Sequence, residues 1–68
     1  MKEPRTWTPA KIRELRTVVM RMTLHEMGER FGVSWNTWGR WESGVSAPTM
    51  GNRRKLSDLL AAQDRVAA

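Results

Sequence analysis

Asn36 and Arg40 are the side chains of this 68-residue chain best equipped to recognise another molecule by hydrogen bonding, and they stand four residues apart. On a helix that spacing puts both on one face. An Asn amide offers the paired donor and acceptor that match adenine N6 and N7. An Arg fork matches guanine O6 and N7, or clamps a phosphate. At 100° per residue from Trp35, the residues Gly39, Ser43, Asn36 and Arg40 fall within one arc of about 140°, whereas Trp38, Trp41 and Glu42 fall outside it, on the side that packs. Trp35 can touch a thymine methyl, donate its indole N–H to a phosphate, or fold onto the preceding helix. Gly39 lacks a Cβ, which either admits a ligand closely or is a tolerated poor helix former. Trp35, Asn36, Gly39 and Arg40 are therefore the candidate base-reading set.

Thr23 and Ser34 stand where helices begin, and free backbone N–H groups with the helix dipole make such positions phosphate sites; plain capping is the other reading. Thr37, Ser43, Arg53 and Arg54 complete the candidate contacts to a nucleic-acid backbone. Arg53, Arg54 and Lys55 form a basic run that either clamps phosphate or is a solvated face. Twelve Lys and Arg against seven Asp and Glu give a formal charge of +5, which favours a polyanionic partner. With no cysteine, there is no disulfide framework or thiolate zinc site, and the single histidine, His25, reads as a surface residue rather than a metal ligand. The inventory offers no nucleophile–base pair, no phosphate loop after a strand and no cofactor site, so neither catalysis nor a small-molecule ligand is expected. No apolar run is long enough to span a bilayer or serve as an export signal, and a reducing cytoplasm is the expected compartment.

The elements that must position these residues are all helical, because no alternating β-branched stretch is bounded by hairpin turns. Thr8 before Pro9 starts a first helix of roughly residues 9–20, with Trp7 and Ile12 as a hydrophobic staple and Ile12, Leu15, Val19 and Met22 inward. Its polar side carries Lys11, Arg13, Glu14 and Arg21. Thr23 with Glu26 forms a capping box for a second helix, whose inward stripe is Leu24, Met27, Gly28 and Phe31 and which Gly32 stops. Ser34 caps a third, with Val33 and Trp38 as its staple; Gly44 ends it and Pro48 prevents its resumption. A connection of about three residues forces two helices to cross steeply, as in a helix-turn-helix. A fourth helix from about Thr49 or Met50 to Ala61 should present Met50, Leu56, Leu59 and Leu60 inward, and the tail AAQDRVAA extends that helix, forms a partner contact or frays. The expected layout is an arm at residues 1–7, one domain at 8–61 and a tail at 62–68. So short a chain buries only about 60% of its unfolded surface, which leaves a thin margin that self-association would widen.

The stretch TLHEMGERFGVSWNTWGRWESG resembles the helix-turn-helix of the Xre, or lambda-repressor-like, family of bacterial and phage regulators, and with flanking helices the resemblance covers about residues 8–60. It rests on Gly28, Gly32, Val33, Ser34, Thr37, Trp38, the run Arg40, Trp41 and Glu42, and Gly44 with Pro48 shortly after. The family implies a compact all-α domain of four or five helices, acting as a two-fold dimer on palindromic double-stranded DNA. Three positions depart from its pattern. Leu24 stands where the family usually has a phosphate-holding Gln, and the loop SGVSAP lacks the common basic residue. Relatives often pair an Arg late in helix one with the Glu of helix three; here Arg16 lies one place too far from Thr23. Either helix one ends in a one-residue distortion, or the pair with Glu42 is absent.

The expectation is a sequence-specific DNA-binding regulator, most simply a repressor that blocks polymerase. Two other readings compete: an architectural or recombination-accessory DNA-binding protein with little base specificity, and an antitoxin-like or antirepressor module that holds a protein partner through the Trp35 face.

Overall fold

The computed structural model describes residues 7–67, with side-chain surroundings through Gln63. Four helices follow one another: α1 (Pro9–Glu14), continued by a π-helical turn (Leu15–Val19), α2 (Leu24–Phe31), α3 (Trp35–Ser43) and α4 (Met50–Ala67). The protein is a small all-α domain, and no strand occurs among the described residues.

Local chemistry accounts for the helix starts. Thr8 accepts from Lys11 N at 3.2 Å with Pro9 in the first turn. Thr23 accepts from Glu26 N at 3.2 Å while the Glu26 carboxylate accepts from Thr23 N at 2.9 Å, closing the capping box. Ser34 Oγ accepts from Thr37 N at 3.1 Å, and Thr49 Oγ1 from Asn52 N at 3.2 Å, which starts α4. Each bond satisfies a backbone donor that the helix leaves free.

Ile12, Leu15, Met27, Phe31, Trp38, Trp41 and Leu56 form the core. Phe31 is its hub, meeting Trp38 and Trp41 edge-on at centroid distances of 5.3 and 5.8 Å. Edge-to-face geometry sets the positive ring rim against the negative ring face. Lys55 Nζ lies over the Phe31 ring, 4.6 Å from its centroid, and donates to the Phe31 carbonyl at the C-terminus of α2. That ammonium satisfies an orphan carbonyl at the negative end of the dipole.

Three expectations are corrected. Val19 is not inward: it is 36% exposed, because the π turn adds a residue and rotates the end of the first helix. Met50 is 75% exposed; it sits in the opening turn of α4, before that helix meets the core at Leu56. Of the three courses open to the tail, extension of the helix is the one observed: α4 continues to Ala67, since nothing in SDLLAAQDRVA breaks a helix. Trp7 is not part of an arm: it packs on the core and donates its indole N–H to Ser57 Oγ at 2.9 Å. The remainder of the expected arm, residues 1–6, and the last residue of the tail lie outside the described residues.

Candidate nucleic-acid interface

The turn between α2 and α3 consists of Gly32, Val33 and Ser34. Gly32 adopts φ +94°, a left-handed conformation that L side chains rarely take. Gly28 permits the close approach that follows: a Cβ there would lie 2.7 Å from Val33 O and 3.0 Å from Trp35 N, both backbone atoms. The entry of α3 thus rests directly on the backbone of α2. The small residue is a steric requirement of the turn.

A polar clamp fixes the rotation of α3. Arg16 Nε donates to Glu42 Oε2 at 2.6 Å and Nη2 to Glu42 Oε1 at 3.0 Å, the two-pronged fork. Its third donor, Nη1, reaches the Met22 carbonyl at 3.1 Å. Trp38 Nε1 also donates to Glu42 Oε2, at 2.6 Å. The Glu42 hydrogen bond holds the Arg16 guanidinium above its ordinary pKa, opposed by burial and assisted by the attraction of the same carboxylate.

The clamp depends on the π turn. Met20 N bonds Leu15 O at 2.8 Å, five residues back, and Met22 N bonds Arg16 O at 2.9 Å. A π turn accommodates one extra residue in a helix. Arg21 then takes φ +54° to turn the chain towards Thr23, a conformation disfavoured for a residue with a Cβ. Of the two alternatives left by the spacing of Arg16, the distortion is present and the pair forms.

With its inner side held, α3 turns its candidate residues outward. Asn36, Arg40 and Ser43 are exposed, Gly39 is half-buried, and Trp35 is 46% exposed. Trp35 lies at the border of the arc and stacks, tilted by 33°, on His25 of α2 at a centroid distance of 5.0 Å. The backbone-contact candidates are less uniform. Ser34 Oγ donates to Thr37 Oγ1 at 2.9 Å, and Thr37 is half-buried, so its hydroxyl is engaged. Ser43 Oγ donates to Arg40 O at 3.2 Å. Thr23 and Ser34 both serve as caps and remain exposed. Of the basic run, Lys55 is occupied at the end of α2, while Arg53 and Arg54 are exposed within two residues of it. The first turns of α4 therefore lie beside the helix–turn–helix unit.

His25 is exposed, as expected of a surface residue, but its stack on Trp35 was not foreseen. Its position two residues ahead of Met27 gave no sign of a partner, because the stack on Trp35 exists only once α2 and α3 are folded together. Among the described residues no helix is long and apolar enough to cross a membrane. Comparison of the chain with protein-family models, curated proteins and solved structures finds no match.

Proposed function

We propose that this domain is a sequence-specific double-stranded-DNA-binding regulator of the Xre type, a repressor of bacterial or phage origin acting in the cytoplasm by occupying an operator. The observation that carries the reading is the two-sidedness of α3. One side is locked to the body by Trp38, Trp41 and the Arg16–Glu42 fork, and the other offers Asn36, Arg40 and Ser43 to solvent. A helix held in that way and carrying short polar side chains and an Arg fits a major groove about 12 Å wide. The formal charge of +5 supports a polyanionic partner. The Arg16–Glu42 pair and the Gly28 contact agree with what the family resemblance implies at those positions.

In this reading Trp35, Asn36, Gly39 and Arg40 face the base edges, while Thr23, Ser34, Arg53 and Arg54 meet phosphates. The hydroxyls of Ser34, Thr37 and Ser43 already have partners within the chain, so Ser34 would meet phosphate through the free backbone N–H groups at the start of α3, and Thr37 and Ser43 are weaker backbone contacts. A two-fold dimer would set two copies of α3 about 34 Å apart on a palindromic site. Catalysis, cofactor and small-molecule ligand have no part in the proposal.

Selection of bound duplexes from a random DNA pool tests it, followed by titration of the best site against random sequence at two salt concentrations. The expected result is a defined site bound at least about 10³-fold more tightly than random DNA. Equal affinity for both would favour an architectural role. No binding at low salt would leave the exposed Trp35 face to a protein partner.

A further inference from the structure

Trp35 differs from the other tryptophans in where its ring is spent. Trp38 and Trp41 are buried in the core, and Trp7 packs against it. Trp35 keeps 46% of its surface exposed, and its described ring partner is His25. Four residues on, Gly39 is a second anomaly. A Cβ at that position would meet nothing within 4 Å, so the fold does not require a glycine there, and glycine is a poorer choice than alanine in a helix interior. A helical side chain covers the surface over the turn preceding its own Cα. A side chain at 39 would therefore cover the surface between Trp35 and Asn36, which glycine leaves open.

An indole floor braced by a histidine, an open roof and an Asn amide alongside make a small apolar seat next to a polar reader. In the major groove the apolar group that base pairs present is the C5-methyl of a pyrimidine. Building on the proposed reading of α3 as a DNA-reading helix, we propose that Trp35, with the gap at Gly39, seats the C5-methyl group of a pyrimidine beside the base pair read by Asn36. His25 acts as a positioning residue that holds the indole. Thymine and 5-methylcytosine carry the same methyl, so the shared group is the ligand, and substituted duplexes separate its two sources.

The test uses the full chain and the best duplex from the pool selection, with each thymine replaced singly by deoxyuridine and each cytosine by 5-methylcytosine. Seating one methyl is worth about 0.8 kcal/mol, or about four-fold in affinity. Wild type should lose about four-fold at one thymine per half-site on removal of its methyl, or gain as much from one added cytosine methyl; which of the two occurs names the source. Gly39→Ala should abolish that discrimination while raising Tm by about 4–8 °C, because alanine is the better helix former in open space. His25→Ala should abolish it at unchanged helicity, and His25→Phe should restore it. A wild type that selects a site but ignores every methyl overturns this inference and leaves the DNA-reading proposal standing, as does a Gly39→Ala variant that keeps the discrimination. A wild type that selects no site overturns both.

Discussion

The inner and outer faces of α3 use the same residue types to opposite ends. Inside, Trp38 is fully buried against Phe31 and Trp41, and its N–H is bonded to a carboxylate that Arg16 also grips. Outside, Trp35 lies half open over His25, with Asn36 and Arg40 beside it. Two indoles three residues apart are separated by only about 60° around the axis, and register decides which one holds the fold. Every polar atom of the inner clamp has a partner, so that face has nothing left to offer a ligand.

The largest effect expected from breaking this division is at Trp38. Trp38→Ala should cost about 3–5 kcal/mol, close to the whole stability of so small a domain, and leave the chain largely unfolded by circular dichroism. Trp35→Ala should keep near-native helicity and melting, with weakened DNA binding. The reverse pattern would invalidate the assignment of faces.

Next is the clamp. Arg16→Ala removes two bonds from a half-buried Glu42 and one from the Met22 carbonyl. The loss should be about 2–3 kcal/mol in denaturant unfolding, below the range for a fully buried pair because both side chains keep some contact with water. A variant as stable as wild type would mean that the fork contributes no more than a surface ion pair.

On the outer face, Asn36→Ala should weaken binding to the selected site by about 1–3 kcal/mol and leave random-sequence affinity nearly unchanged. Equal losses on both DNAs would remove Asn36 from base reading. The smallest effect should come from Arg53→Ala with Arg54→Ala, which should weaken binding evenly across sequences and reduce the slope of log affinity against log salt by up to about two. An unaltered slope would return that pair to a solvated surface.

Helix starts, the tight α2–α3 turn and most of the core were legible in the chain, because they depend on near neighbours. A Thr or Ser cap bonds a donor three residues on, a glycine stops a helix where it stands, and apolar residues recur with the helical period. By themselves these define an all-α domain and point α3's polar arc away from Trp38 and Trp41. Val19 and Met50 escaped the same logic, since a regular period assumes an unbroken helix placed against the core along its whole length. The π turn violated the first assumption and the outlying first turn of α4 the second. Arg16 and Glu42 lie 26 residues apart, and the spacing from Thr23 signalled only that something irregular must happen if they were to meet. Only the folded chain decided that a π turn and a left-handed Arg21 bring them together. The same holds for Lys55 under the end of α2 and His25 beneath Trp35. Each pairing joins separate helices across a distance that no local periodicity encodes, and their packing sets it.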